Sequence, residues 1–172
     1  MKETESPQNN FGWFPARVRF GQEIKIKETL DRLGIESFIP TELRKNYRGK
    51  AKPHPVIPAL VFIHSTKKQA TDLRVVDNLP LSYLFDAAAH RMMVVPDKQM
   101  EDFQRVLDLS MQEGGLVNTS VEPGARVVVV RGPLRGVEGF VTQTNGKYYV
   151  VVSLLGSIFA KAQVPRAFLE LV

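Results

Sequence analysis

A glycine-rich stretch near the carboxyl end constrains the fold of this chain more than any other part. It covers residues 124–141 and reads GARVVVVRGPLRGVEGFV. The four consecutive valines at 127–130 favour extended backbone, because β-branched side chains pack well in strands. Gly132 and Pro133 then interrupt the run, since glycine accepts a positive φ and proline fixes φ for a turn. The stretch therefore predicts two short strands joined by a tight turn.

The residues that follow predict a small domain made of strands. Asn145-Gly146 is a strong signal for a two-residue hairpin turn, and a strand is predicted over 147–153. Gly156 and Pro165 mark breaks between two further short strands. Four to five strands within about fifty residues fit a small barrel better than a sandwich.

The spacing within the glycine-rich stretch resembles the KOW motif, which occurs in small SH3-like barrels of transcription and ribosomal proteins. A generic glycine-rich hairpin is the alternative that stays open. The positions that match the motif are Gly124, Val127, Val129, Gly132, Pro133, Leu134, Gly136, Gly139 and Val141.

The first hundred residues alternate between strand and helix patterns. A strand is predicted over 13–20, and Pro15 indicates an edge position or a bulge there because proline cannot donate to a sheet. A helical period over 22–33 follows, with Gly34 where a helix cap belongs. The nearly continuous apolar run at 56–63 predicts a strand buried on both faces. Further helices are predicted over 66–76 and from 97 to about 111.

Composition excludes several classes of protein. The 172 residues include no cysteine, which excludes disulfides, thiol catalysis and zinc held by cysteine. The net charge of +5 is compatible with binding to nucleic acid. No apolar run approaches the ~20 residues of a membrane span, and the start, MKETESPQNN, lacks the apolar region of a signal peptide. We expect a cytoplasmic monomer without membrane contact and with a disordered tail over 1–10.

No arrangement of residues predicts an enzyme. His54, His64 and His90 lack the spacing of a metal-ligating motif, and the chain has no Gly-x-Ser-x-Gly elbow. Phosphate-binding glycine loops are also missing. We therefore expect no catalytic residues, no metal site and no cofactor.

The order of predicted elements, followed by the KOW-like stretch, resembles the NusG family of transcription elongation factors. Local marks of the resemblance are Trp13-Phe14, Gly21-Gln22 and the segment 55–63. The resemblance implies an α+β protein: an α/β NGN domain with a mixed sheet and flanking helices over 11–112, a linker over 113–122 and an SH3-like KOW barrel over 123–172.

One segment departs from the family pattern. Where the family usually shows Phe-Pro-Gly-Tyr, this chain has Ile57-Pro58-Ala59-Leu60. The departure suggests a specialised paralogue that resembles the RfaH and UpxY antiterminators rather than the housekeeping factor.

The resemblance implies a factor for transcription elongation and antitermination. Its NGN domain would bind the β′ clamp helices of RNA polymerase, and its KOW domain would recruit a ribosomal small-subunit protein or Rho. For each candidate in the polymerase-binding patch an ordinary place in the core stays open, because strand alternation lets only some of them face outward. These candidates are Trp13, Phe14, Val56, Ile57, Pro58, Leu60 and Phe62.

Two basic groups are candidates for contact with nucleic acid. Five cations and no acid lie between 44 and 52, and Tyr47 among them is suited to stack on a base. The resemblance implies that the end of the first strand and the start of the first helix touch non-template DNA. A solvated hairpin tip and a solvated helix end are the alternatives. The candidates are Arg17, Arg19, Gln22, Lys25, Arg44, Lys45, Arg48, Lys50 and Lys52.

The KOW turn supplies the last set of candidates, which would bind the recruited partner. Four of them are expected on an exposed turn, and Phe159 is the fifth. Two other functions stay open: a KOW-type module that binds RNA or the ribosome, and a NusG-type factor that promotes Rho-dependent termination. The turn residues are Arg131, Pro133, Leu134 and Arg135.

Overall fold

The computed structural model describes residues 10–110 and 124–172. The chain divides into two compact units, Met1–Asp97 and Lys98–Val172. The predicted linker over 113–122 and the predicted tail, apart from Asn10, lie outside the described residues, so these domain limits stay predictions. The predicted α+β class, an α/β part followed by a part rich in strands, is confirmed by the order of elements.

Within the described residues, the first unit contains a four-stranded sheet, two helices and two separate hairpins. Its elements are β1 (Gly12–Arg17), α1 (Glu23–Arg32), β2 (Glu36–Phe38), β3 (Thr41–Lys45), β4 (Ala51–Pro55), β5 (Leu60–Ser65), α2 (Lys67–Val75), β6 (Ser82–Tyr83), β7 (Phe85–Asp86) and β8 (Arg91–Met92). The sheet has the order β2-β5-β1-β6, while β3 pairs with β4 and β7 with β8.

The pairings in this sheet are antiparallel, not mixed as the resemblance implies. The reason lies in the connection through α1. This connection places β2 parallel to β1 but two positions away, and β5 fills the gap in the opposite direction.

The edge position predicted from Pro15 is wrong, because β1 lies between β5 and β6. Pro15 O accepts a hydrogen bond from Leu84 N. Since the N–H and C=O of one residue point to the same side of a strand, the missing donor of Pro15 faces β6 rather than β5. β6 pairs only with Ala16 and Arg17, so no sheet bond is lost at Pro15.

Helix and strand side chains together bury the core of the first unit. Ile26 and Leu30 lie one turn apart on α1 and Leu73 lies on α2, and they pack with Val61 and Ile63 of β5. Each fully buried aliphatic side chain stabilises the fold by about 1.5–3 kcal/mol. The core therefore fixes β5 as a central strand, as its apolar run predicts.

The second unit combines a helix with a five-stranded antiparallel sheet. The helix begins at the last residue of the first unit, and the strands follow in the spatial order β12-β11-β10-β9-β13. The predicted Asn145-Gly146 turn joins β10 to β11, with φ of +50° and +75°. The elements are α3 (Asp97–Ser110), β9 (Arg126–Val129), β10 (Glu138–Thr144), β11 (Lys147–Leu154), β12 (Ile158–Gln163) and β13 (Leu169–Leu171).

Candidate functional site

The connection between β4 and β5, residues 56–59, is where predicted polymerase-binding side chains reach the surface. Val56 and Ile57 are half-buried and Pro58 is exposed. The loop begins at a hydrogen bond from Val56 N to Pro40 O, of 2.9 Å. These three residues form a small apolar surface at the margin of the sheet.

The other four candidates of the predicted patch are buried, so their expected exposure is wrong. Leu60 and Phe62 lie in β5, which is covered on both faces, and Phe14 lies beside them in β1. Trp13 stacks on the ring of His64, with ring centroids 4.7 Å apart. The apolar run at 56–63 therefore has two parts. Its second part lies in β5, which is buried on both faces, and its first part, the 56–59 loop, reaches the surface.

A left-handed residue ends the 56–59 loop. Ala59 has φ of +62°, a conformation that side chains with a Cβ rarely adopt. Its N–H donates to Glu23 Oε1 at 2.7 Å, and its carbonyl accepts a hydrogen bond from Val18 N at 3.0 Å. Ala59 is therefore held at its N–H by Glu23 of α1 and at its carbonyl by Val18, the residue that follows β1.

Glu23 is the buried carboxylate of this arrangement, with 3% of its surface exposed. Burial raises the pKa of Glu23, but hydrogen bonds from the backbone N–H groups of Ala59, Glu23 itself and Gly21 outweigh it and hold the pKa below its ordinary value of 4.5. The side chain is therefore ionised at neutral pH. Sequence reasoning did not identify Glu23 as a candidate. Acidic residues are common in the first turn of a helix because they interact favourably with the helix dipole, so Glu23 gives no separate signal.

The predicted nucleic-acid residues at the end of β1 and the start of α1 lie next to this loop. Arg17, Arg19 and Lys25 are exposed, and within the described residues their side chains form no hydrogen bond or ion pair; Gln22 is half-buried. Phe20, which sequence reasoning also missed, is 78% exposed at this edge. The edge thus combines free cations with apolar surface.

The hairpin of β3 and β4 carries the second basic group: Arg48 and Lys50 lie on its tip, while Arg44, Lys45 and Lys52 lie in its strands. Asn46 Oδ1 accepts hydrogen bonds from the N–H groups of Arg48 and Lys50, which shapes the tip. Tyr47 is 91% exposed, and the Arg48 guanidinium lies 5.4 Å from its ring centroid. Arg44 differs from the others because it pairs with Glu42. Lys45, Lys50 and Lys52 are exposed.

The turn at 131–136, between β9 and β10, holds most of the predicted partner-binding residues of the second unit. Arg131, Pro133 and Arg135 are exposed, but Leu134 is buried, so its expected exposure is wrong. Because Leu134 is buried, its side chain cannot face a partner as the exposed residues of the turn can. Phe159 on β12 is half-buried.

Helix α3 binds the backbone of this turn. Arg105 Nη2 donates to the carbonyls of Pro133 and Arg135, at 2.9 Å each. Lys98 Nζ donates to Gly136 O at 2.9 Å. Three carbonyl groups of the turn are therefore already occupied by side chains of the same unit.

A buried carboxylate on α3 completes this contact. Asp102, 2% exposed, accepts hydrogen bonds from Lys98 Nζ at 2.6 Å and from Glu138 N at 3.1 Å. Sequence reasoning attributes the acidic residues at the start of this helix to the helix dipole and does not identify the polar stripe of α3. The i, i+4, i+7 spacing of Lys98, Asp102 and Arg105 is the signal that indicates it.

The described residues hold no cluster of three His, Cys, Asp or Glu side chains placed to bind a metal ion. His64 lies between Glu36 Oε2 at 3.2 Å and Asp97 Oδ1 at 3.0 Å, and both contacts are ordinary polar pairing. None of the helices in 10–110 and 124–172 is long and apolar enough to cross a membrane.

Comparison with known proteins gives a family match for the first part of the chain. A family model named NusG, described as transcription termination factor nusG, matches residues 11–104, more than half of the chain. No curated protein matches at a significant level. Among solved structures, a chain of the crystal structure of the MjSpt4:Spt5 complex, conformation B, aligns at 14% identity over 93% of this chain and 96% of that chain. The TM-score of 0.26 is too low for that likeness to carry an argument.

Proposed function

Because this chain belongs to the NusG family of transcription factors, we propose that it is an elongation and antitermination factor that binds RNA polymerase through its first unit. In this proposal the clamp helices of the β′ subunit are the binding partner. Binding there would favour the elongating form of the enzyme through a population shift and would require no chemistry on a substrate. The family match over 11–104, which contains the 56–59 loop, is the observation that carries the proposal.

The proposed polymerase surface consists of Val56, Ile57 and Pro58. They are the members of the predicted patch with accessible side chains. A few buried apolar anchors typically supply most of the energy of a protein interface. The buried candidates Trp13, Phe14, Leu60 and Phe62 would not contact the polymerase directly.

Nucleic acid is the second proposed partner of the first unit. The free cations Arg17, Arg19 and Lys25 flank the loop, so a DNA strand bound there would lie beside the polymerase surface. Counterion release by these cations and by the β3–β4 tip would supply an affinity that depends on salt and not on sequence. We propose non-template DNA as this partner.

The strand-rich part of the second unit, residues 124–172, is proposed to be a KOW domain that recruits a further protein. The glycine and valine spacing of 124–141 supports this assignment, and Arg131, Pro133 and Arg135 supply an exposed, positively charged turn. A ribosomal small-subunit protein or Rho is the proposed partner. The departure at Ile57, Ala59 and Leu60 supports a specialised paralogue of the RfaH and UpxY type, and we propose that it acts in the cytoplasm.

Rho-dependent termination is the second candidate function, since the matching family model is itself described as a termination factor. The two candidates share the same polymerase contact and differ in what the second unit recruits. Transcription by purified polymerase with and without Rho separates them. Read-through of a terminator supports antitermination, and earlier release that requires Rho supports termination.

Binding of purified polymerase by Ile57→Glu tests the polymerase contact itself. A charge placed on a half-buried apolar anchor should reduce the affinity by about tenfold or more, because the carboxylate must be desolvated in the interface. Val75→Glu, at an exposed aliphatic residue on α2, is the matched control. Equal affinities of the two variants, with melting temperatures close to the wild type, would remove the 56–59 loop from the interface. Binding of RNA without any binding of polymerase would favour a plain RNA-binding module.

A further inference from the structure

We propose that Glu23 is a positioning residue, which holds the 56–59 loop in the conformation that binds polymerase. This inference rests on the proposed function, because it names what orders the surface in question. Glu23 lies on α1 and is buried, so it would act through the loop and not by touching the partner.

The first argument is the backbone of Ala59. A residue with a Cβ at φ of +62° is strained, and such strain persists only where the surroundings determine the conformation. Here the N–H of Ala59 is bound to Glu23 Oε1 and its carbonyl is bound by Val18 N. Without the bond to Glu23, the N–H of Ala59 would lose its acceptor. The strained conformation of Ala59 would then be held by the bond from Val18 N alone.

The second argument is the isolation of the Glu23 charge. The carboxylate is buried, and within the described residues it forms no ion pair. Burying a charge is unfavourable unless hydrogen bonds compensate for it. The compensating donors are the backbone N–H groups of Gly21, Glu23 and Ala59, of which only Ala59 lies far away in the sequence. The buried charge thus joins the start of α1 to the loop, 36 residues further along.

The third argument is the place of Ala59 in the loop. It directly follows Ile57 and Pro58, whose side chains form the accessible apolar surface. The direction in which these two side chains point depends on the backbone at Ala59, the residue directly before β5 begins at Leu60. If the loop is already ordered in the free protein, binding does not have to order it. The affinity of the protein for polymerase is then not reduced by a population of loop conformations that cannot bind.

Hydrogen exchange at the Ala59 amide tests the ordering without any partner. In Glu23→Ala the Ala59 N–H should exchange at least about tenfold faster, because it loses its acceptor. Glu23→Gln, which keeps an amide oxygen as acceptor, should show a smaller increase. Glu28→Ala, at an exposed glutamate on the same helix, should leave the exchange rate unchanged. Unchanged exchange in Glu23→Ala would overturn the inference, whatever the polymerase measurements show.

Affinity for polymerase tests the consequence. Glu23→Ala should bind about tenfold more weakly, which corresponds to about 1.4 kcal/mol. Adding Ala59→Gly should restore the affinity to within about threefold of wild type, because glycine adopts the left-handed conformation without strain. General damage to α1 would not be repaired by a substitution in the loop, so failure of this rescue would overturn the positioning role. Glu23→Gln serves in the same comparison if Glu23→Ala does not fold.

Failure of the proposed function can be distinguished from failure of the positioning role of Glu23. Wild-type protein that binds no polymerase overturns the proposed function and the binding part of this inference, while the exchange measurement still decides whether Glu23 orders the loop. Wild-type binding equal to that of Glu23→Ala overturns the positioning role and leaves the proposed function standing.

Discussion

The 56–59 loop and the 131–136 turn are both short, proline-containing connections, yet they take their shapes from different sources. The turn has glycine at its two left-handed positions, Gly132 at φ of +85° and Gly136 at φ of +89°. The loop has alanine at its left-handed position and depends on a distant carboxylate, Glu23, to hold it. Glycine accepts a positive φ without help, so the sequence of the turn itself indicates its conformation. Alanine adopts a positive φ only where contacts in the folded unit hold it there.

The two segments also differ in what they leave open. Side chains of α3 occupy three carbonyl groups of the turn, through Arg105 and Lys98. The loop is bound mainly from its backbone ends, so Ile57 and Pro58 keep accessible side chains. A partner of the turn would meet charged side chains around satisfied carbonyls, and a partner of the loop would meet apolar surface.

The largest effect is expected from Asp102→Ala, which would break the contact between α3 and the segment that follows the turn. The buried carboxylate accepts bonds from Lys98 and from Glu138 N, and its removal should lower the free energy of unfolding by about 2 kcal/mol. Chemical denaturation measures this loss. Asp108→Ala, at an exposed aspartate on the same helix, should change it by less than about 0.5 kcal/mol. Equal values for the two variants would mean that α3 does not stabilise this part of the second unit.

Gly132→Ala should show that the turn depends on its glycine. A Cβ at this position is strained by the positive φ and would lie 3.0 Å from Phe168 Cε2, so we expect a loss of about 1–2 kcal/mol. Gly146→Ala is the matched control, because its φ is +75° and its Cβ would meet open space. Thermal or chemical unfolding should therefore show a larger loss for Gly132→Ala than for Gly146→Ala. Equal losses for the two variants would mean that the contact with Phe168 relaxes without cost.

The difference between the locally determined turn and the loop held by a distant residue explains which parts of the structure could be predicted from the sequence. The glycine-rich stretch and the Asn145-Gly146 turn predict the strands of the second unit, because the signals are local. The apolar run at 56–63 predicts a buried strand, but its periodicity does not say that β5 begins only at Leu60. The bond between Glu23 and Ala59 joins residues far apart in the sequence and has no local signal. The family's glycine at position 59 is the hint that a left-handed residue belongs there.

Acidification should weaken the stabilisation that Glu23 gives to the 56–59 loop. The folded-state pKa of Glu23 lies below its ordinary value of 4.5, so the carboxylate stabilises the fold above that pH, and this contribution is lost as pH falls through the folded pKa. Wild type should therefore be more stable than Glu23→Gln at neutral pH, and the difference should shrink below pH 4.5. Urea unfolding of both proteins across this range measures it, with the titration of other carboxylates cancelling between them. A difference that stays constant with pH would show that the pKa of Glu23 is the same in the folded and unfolded states, so that the fold does not favour its ionised form.

The smallest effect is expected from Ala59→Gly, and its sign is opposite to that of Gly132→Ala. Glycine removes strain of roughly 1–2 kcal/mol at the left-handed position but adds about 0.5–1 kcal/mol of chain entropy to the unfolded state. The free energy of unfolding should therefore rise by about 0.5 kcal/mol. Ala88→Gly, at an exposed alanine without a positive φ, adds the entropy without removing strain and should lower stability. Since the two variants make the same chemical change, their difference in unfolding free energy measures the strain that Glu23 and Val18 hold in the loop. If Ala59→Gly destabilises the protein as much as Ala88→Gly does, the loop is unstrained and resembles the turn after all.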